Sequence, residues 1–501
     1  MYDYDVIVIG AGLGGLSAGA LLAKAGKSVL ILEQSNFIGG CCSTFEKDGY
    51  KFDIGASIVE AIKNMQMVFH VLGTRLEDEV DLLPCDPIYS CIFRDGTHTN
   101  HYQSIERTAE EIGKISPIDQ ENYYRFTRKF NQFIEEGGED FFSHPVGTLA
   151  EMMALIKKRP VIAKFLPFFL ASYQDILNYY FKDEKVRQSM SYQSFYAGHP
   201  ADLSAGIFAI LPFFEHLGVF YPRGGMAEIP KALMKIGENL GMQVELNARV
   251  TKINLDFHKR VKGVTLAGGR ELTSRVVVSD VNAKALYLDL IGSEHLPVEV
   301  TKGICSYEES LSAPMVYLGL DYAPPLDAHH TIIPIDQAAM NDAWWNVYRK
   351  GRIPKEQFGL LCWPTFTDPS LAPQGKHILN LILMGPYDLA NTTWDDEKPR
   401  FIEQSIDLID RVAAPGIKQH ITMAEMNTPL DYEHRLMLTK GAIYGLQQDL
   451  SAQAVFRPAN KSKAIPGLYL AGASTHPGGG VPTTISSGYV AATQVLEHWF
   501  D

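Results

Sequence analysis

The stretch Asp5-Val-Ile-Val-Ile9-Gly10-Ala11-Gly12-Leu13-Gly14-Gly15 passes from an apolar, β-branched run straight into a glycine turn. Such a run suits a parallel strand buried on both faces. Leu16, Ala20, Leu21 and Ala23 to Ala25 then supply the small, apolar face of a helix packed on a sheet, and Gly26 ends it. A second strand, Ser28-Val-Leu-Ile-Leu32, closes on Glu33. Each residue has a physical task in a dinucleotide-binding unit. Gly10 makes the turn, Gly12 lets the backbone approach a pyrophosphate, Gly15 allows helix and strand to pack closely, and the helix N-terminus adds positive potential. Glu33 stands where a carboxylate accepts hydrogen bonds from ribose hydroxyls. A glycine turn alone is a weak signal, but strand, turn, helix, strand and acid in this order are a strong one. The unit does not by itself distinguish one dinucleotide from another.

Phe37-Ile-Gly39-Gly40-Cys41-Cys42-Ser43-Thr44 and Gly49-Tyr-Lys-Phe52-Asp53-Ile-Gly55-Ala-Ser57 come next. They resemble the second glycine motif of FAD oxidoreductases in the amine oxidase and phytoene desaturase superfamily. The resemblance implies FAD, held by Gly10, Ala11, Gly12, Leu13, Gly14, Gly15, Glu33, Gln34, Gly40, Cys41, Cys42 and Ser57. Many members place an arginine after the paired glycines, whereas Cys41 is similar to the carotenoid isomerase and some carotenoid desaturase branches. Adjacent Cys41 and Cys42 invite a redox role. Disulfide-reducing flavoproteins separate their cysteines, however, and a buried free cysteine usually behaves as a small hydrophobe.

Near the far end, Ile465-Pro-Gly467-Leu-Tyr-Leu-Ala-Gly472-Ala473-Ser-Thr475-His476-Pro477-Gly478-Gly479-Gly480-Val481-Pro482-Thr483-Thr484 reads as strand, glycine loop and helix start. Free amides at that helix start would stabilise negative charge on a reduced flavin. The stretch resembles the C-terminal signature of bacterial phytoene desaturases, which implies that Gly472, Ala473, Gly480, Val481 and Pro482 also hold the cofactor. His476 has two readings: a loop histidine bonded beside the flavin, or a general base or flavin attachment point. In the middle, Tyr221-Pro-Arg223-Gly224-Gly225-Met226 and the strands after Gln243 are similar to the family's return to the FAD domain, with Val250 at the adenine. Asp280 ends a strand there. No further strand-linked GxGxxG occurs, so a separate NAD(P)H domain is not expected.

The 501 residues allow several domains, and a formal charge of -13 disfavours a nucleic-acid partner. Six cysteines without a CxxC pair suggest neither a disulfide framework nor a metal site, and a reducing cytoplasm suits them. The expected fold is α/β: a Rossmann-type FAD-binding domain assembled from discontinuous segments 1–105, 216–294 and 426–501, with an α+β substrate domain from 106–215 and 295–425. In the first insert, Lys157-Lys158-Arg159-Pro160 and Phe165-Leu-Pro-Phe-Phe169-Leu170 put basic beside apolar residues. That suits peripheral docking on the cytoplasmic membrane, or equally a buried helix with a solvated turn.

The resemblance to the carotenoid desaturase and isomerase family implies a lipophilic polyene substrate and FAD chemistry on carbon–carbon bonds. Glu433, His434, Arg435, Tyr444 and His476 are the candidates for catalysis, and the electron acceptor is open. Desaturation ranks first, ahead of redox-neutral isomerisation or saturation. An amine oxidase and a non-catalytic lipid escort are the readings from other classes.

Overall fold

Tyr4–Ile9 is buried along its last four residues in the computed structural model, which describes residues 2–197, 200–448 and 456–499. It pairs in parallel with Val29–Leu32 on one side and Glu271–Ser279 on the other, setting Val6 between Val29 and Val276. Branched side chains fill both faces of this strand, as a doubly covered sheet requires. Leu13–Lys24 follows the turn with every residue from Leu13 to Ala23 buried, which places it inside the layer rather than on its surface. Small residues set how close it comes. A Cβ on Gly15 would lie 2.2 Å from the Gly10 carbonyl oxygen, and one on Gly488, in the helix Val481–Glu497, would lie 2.3 Å from that of Gly14. Backbone meets backbone between these two helices.

The first sheet runs Val250–Leu255, Val261–Leu266, Glu271–Ser279, Tyr4–Ile9, Val29–Leu32, Gln243–Glu245, with Leu468–Leu470 also paired to Glu271–Ser279. Widely separated parts of the chain therefore build one Rossmann-type layer, as expected. The second sheet runs Ile421–Asn427, Met315–Leu320, His377–Leu383, Gly359–Cys362, His330–Ile335, Tyr89–Phe93, His98–His101. It is antiparallel except where His330–Ile335 meets Tyr89–Phe93. Helices between Ile105 and His216 form their own core around Phe126, Phe130, Phe133, Phe165 and Tyr173. One difference from the expected division is the hairpin Tyr89–His101, placed by sequence with the FAD segments. It belongs to the second sheet, because Tyr89–Phe93 finds its parallel partner in a strand far along the chain.

The basic and aromatic stretch of the first insert divides between interior and surface. Phe165 is fully buried, 4.6 Å from the Phe133 ring, and Lys158 and Arg159 both reach Asp140. Leu166 and Leu170 face outward. Among the described residues no helix is long and apolar enough to cross a membrane.

Candidate active site

Two helix N-termini face one cavity. Leu13–Lys24 starts after Gly12 and Val481–Glu497 after Gly480, and a cavity of about 370 Å³ is walled there by Gly10, Gly12, Gly39, Gly40, Gly479 and Gly480. The first amides of a helix have no partner within it, so each end offers donors and partial positive charge. The second glycine pair is docked on the first, with Gly39 N–H donating to the Ala11 carbonyl at 2.8 Å. Gly40 holds φ +57, a left-handed turn that brings the chain past Gly12.

Glu33 ends the neighbouring strand on the same wall. Its oxygens accept the amides of Ala11 and Ser35, both at 2.8 Å, which fixes the carboxylate while leaving each oxygen a second lone pair. Ala248 donates its N–H to the Glu33 carbonyl and continues the wall toward Val250. Asp280, at the end of Glu271–Ser279, accepts Gly15 N–H at 3.0 Å, and a Cβ on Gly12 would lie 2.3 Å from that carboxylate oxygen. Burial, with the charge of Glu33 adding to it, pushes the Asp280 carboxyl up to about 7. Glycine cradle, fixed carboxylate and two helix ends together fit FAD: pyrophosphate chemistry suits Gly12, ribose hydroxyls suit Glu33, and an anionic flavin edge suits Gly480 to Pro482.

Fourteen of the residues predicted to hold the cofactor line this cavity: Gly10, Gly12, Leu13, Glu33, Gln34, Gly40, Cys41, Cys42, Ser57, Val250, Ala473, Gly480, Val481 and Pro482. Ala11, Gly14, Gly15 and Gly472 stand behind the wall. There they join its two halves: a Cβ on Gly14 would lie 2.5 Å from the Gly472 nitrogen. The Cys41 thiol is pushed up to about 12 by burial and then by the charge of Asp280. Cys42, raised well above the ordinary range by burial, donates to the Met226 carbonyl at 3.3 Å. Both are protonated thiols, the opposite of what a reactive pair needs.

Of the five candidates for catalysis only Tyr444 reaches the wall, its phenol held protonated by burial. His476 lies behind it, with Nε2 bonded to the Phe141 carbonyl at 2.9 Å, and burial pushes its ring down to about 3. That favours the loop-histidine reading. Glu433 is bonded to the Tyr387 hydroxyl and accepts Lys440 N–H at 3.2 Å, while His434 is exposed. The Arg435 guanidinium lies 5.8 Å from the Phe37 ring centre, and its carbonyl accepts the Ser35 hydroxyl at 2.8 Å.

Several residues escaped the sequence reading. Arg457 is buried and donates to the carbonyls of Leu446, Gln447, Ala473 and Thr475, tying two loops of the wall together. A lone arginine before a proline gives no such signal in sequence. Ser57 is clamped by adjacent histidines: His329 Nε2 contacts its carbonyl at 3.1 Å and His330 Nε2 its hydroxyl at 2.9 Å. Cys362 brings this pair within metal-ligating reach, yet His329 Nδ1 is also engaged, by Thr367 at 2.8 Å. Protein groups thus occupy three of the four ring nitrogens. Beyond Ser57 the wall turns apolar, with Phe141, Phe142, Ile207, Phe214, Leu360 and Met384. Among the described residues no Lys, Arg or His lines the cavity, and its acids are Glu33, Asp280 and Glu60.

Known proteins share this architecture. A phytoene desaturase (lycopene-forming) from Pantoea ananas is 30% identical, with 98% of each chain covered. A 4,4'-diapolycopene oxygenase from a Methylomonas species is 28% identical, again with 98% of each chain covered. Among solved structures, an oxidoreductase from Methanosarcina mazei superposes with a TM-score of 0.65 at 17% identity, covering 98% of this chain and 99% of its own. The profile of the flavin containing amine oxidoreductases matches residues 13–496. Cradle, fold and matched length agree, and the chain belongs to the flavin containing amine oxidoreductase family as an FAD-dependent oxidoreductase.

Proposed function

We propose that this protein desaturates an isoprenoid polyene of carotenoid type. One observation carries the reading: the cavity runs without interruption from the glycine cradle into an apolar chamber that has no cationic side chain among the described residues. An amino-acid substrate would need a cation for its carboxylate, and a hydrocarbon chain needs none. When bound, FAD supplies a two-electron oxidant for carbon–hydrogen bonds. The chain's own part is to seat the cofactor by backbone amides, to align the polyene along Phe141, Phe142, Ile207 and Phe214, and to exclude water. The phytoene desaturase from Pantoea ananas supports the choice, since it matches along nearly the whole length.

Membrane access for such a substrate is part of the reading. Leu166 and Leu170, at 44% and 80% exposure, follow the exposed Lys157 and Lys158 in the first insert, so this region is proposed to meet the cytoplasmic membrane surface peripherally.

Anaerobic mixing of oxidised holoenzyme with phytoene tests the function. Flavin bleaching together with a product of longer conjugation and two fewer hydrogens per new double bond is the expected result. Turnover seen only after dithionite reduction, with product mass equal to substrate mass, would establish isomerisation instead. Bleaching by simple amines alone would return the protein to the amine oxidases, and a flavin left oxidised by every polyene would make it an escort.

A further inference from the structure

The substrate half of the cavity holds an acid that a pure hydrocarbon does not require. Glu60 lines the chamber, and its Oε2 is buried with no hydrogen-bond partner. A buried carboxyl oxygen without a partner is unfavourable, so its place in an apolar wall calls for a ligand that completes the carboxyl. Behind it lies Glu215, almost fully buried on the short helix Leu211–His216. Gln193 Nε2 stands 3.4 Å from both oxygens of Glu215 and donates at 2.7 Å to the Tyr89 hydroxyl, while Gln193 Oε1 also lacks a partner. The cluster is therefore acids, an amide and a phenol, without any basic residue on the cavity wall among the described residues. Burial raises both carboxyls, Glu60 to about 7 and Glu215 well above its ordinary range, and the charge of Glu60 raises Glu215 further. Two such neighbours cannot both ionise cheaply, so the pair retains a proton. Asn64, a turn further along on Ile62–Leu72, adds an amide to the same wall.

We infer that Glu60, backed by Glu215 and Gln193, forms a polar subsite for a neutral oxygen function, a hydroxyl or carbonyl, carried by the isoprenoid substrate. The protonated carboxyl donates to that oxygen, and a hydroxyl donates back to the carboxyl. This deepens the polyene reading and rests on it: the hydrocarbon chain occupies the apolar wall while the oxygenated carbon sets how far the chain enters. An ammonium group would demand the opposite electrostatics, an ionised Glu60.

The test is an equilibrium titration of the oxidised holoenzyme, followed by the flavin absorbance change, with three C20 probes of one skeleton: geranylgeraniol, the corresponding hydrocarbon and geranylgeranylamine. One buried hydrogen bond of about 1.4 kcal/mol makes the alcohol bind about tenfold more tightly than the hydrocarbon. Glu60→Leu should bring the alcohol-to-hydrocarbon ratio to about one, and Glu60→Gln, which keeps a donor and an acceptor, should retain most of it. Flavin content shows whether each variant is folded, and if the Leu variant is not, Glu215→Gln and Glu60→Gln read against wild type across the three probes still decide. Equal affinity of alcohol and hydrocarbon in the wild type overturns the subsite. So does preferential binding of the amine that is lost in Glu60→Gln, which would make Glu60 an ammonium site. An equal loss of polyene turnover for alcohol and hydrocarbon, with the affinity ratio unmoved, overturns it too, as the mark of a base. Failure of the desaturase reading is seen separately, as absence of flavin bleaching by polyenes whatever the binding ratio.

Discussion

At its glycine end the cavity is walled by backbone from a few short stretches, whereas at its apolar end it is walled by side chains gathered from residues 58–64, 141–142, 207–214, 358–384 and 436–444. The two ends respond differently to change. The glycine wall leaves little room for added atoms, since a Cβ on Gly12 would lie 2.3 Å from the Asp280 carboxylate and one on Gly39 2.5 Å from the Cys42 carbonyl oxygen; a wall of side chains can be resized one residue at a time. The contrast teaches where this enzyme is fixed and where it is adjustable: the glycine end, proposed to seat the cofactor, is a geometric constraint, and the apolar end, proposed for the substrate, is a matter of volume and of a few polar groups.

The sharpest way to break that contrast is Gly15→Val. Its Cβ would lie 2.2 Å from the Gly10 oxygen, which is main chain and cannot swing aside. Flavin per chain, measured after denaturing the purified protein, should fall more than tenfold, with loss of stability of several kcal/mol where the protein survives (about 1–3 kcal/mol for overpacking alone). A variant that keeps half its flavin would show the cradle to be adjustable after all. Phe214→Ala probes the other end. Removing this ring from the chamber should weaken polyene binding about tenfold and leave flavin content near wild type; a matching loss of flavin would merge the two ends into one unit.

Asp280 lies at the cradle and should make cofactor affinity pH-dependent. Its carboxyl is raised to about 7, so below that it is neutral and above it carries a charge beside Gly12, where the pyrophosphate is proposed to lie. FAD affinity should therefore be highest below about pH 7 and fall as pH rises through it. The same ionisation opposes folding of the apoprotein, by a penalty that grows from the ordinary carboxylate range up to about pH 7 and stays constant beyond. Dissociation constants of FAD at pH 6 and 8 should differ several-fold in the wild type and hardly at all in Asp280→Asn. A steeper profile in the variant would remove Asp280 as the cause. The smallest effect belongs to the surface. Replacing Lys157 and Lys158 by Gln should shift thermal stability by less than about 1 kcal/mol, since Lys158 is half exposed and Asp140, 3.7 Å away, keeps Arg159 at 2.7 Å. Co-sedimentation with anionic vesicles should drop and should weaken with salt. Binding indifferent to both would leave Leu166 and Leu170 without that role.

Legibility in the sequence follows the same division. Strand, turn, helix and Glu33 lie within one short run, and the second helix end lies in another, so local spacing conveys them. Glu60 gains meaning only beside Glu215, the histidine clamp on Ser57 only once His329 and His330 meet it, and Asp53 only under the Tyr221 hydroxyl at 2.5 Å and the Met226 amide at 2.8 Å. Those partners are joined by the fold, and no periodicity announces them. The place of the hairpin Tyr89–His101 in the second sheet is hidden for the same reason, its strand partner being His330–Ile335. Glu433, His434 and Arg435 illustrate the converse, since they are chemically suggestive and adjacent in sequence to the wall, yet their helix Pro429–Leu436 puts Leu436 rather than any of the three on it.

The contact of Gly488 with Gly14 has a consequence for biogenesis. During synthesis the first glycine turn leaves the ribosome hundreds of residues before the helix that presses on it, and Gly472 and Gly480 emerge almost as late. Until then the early strand and helix lack one of their packing faces, and flavin has only half a seat. Capture of the cofactor between both helix ends is thus expected to await the C-terminal segment, which would close the seat like a clasp.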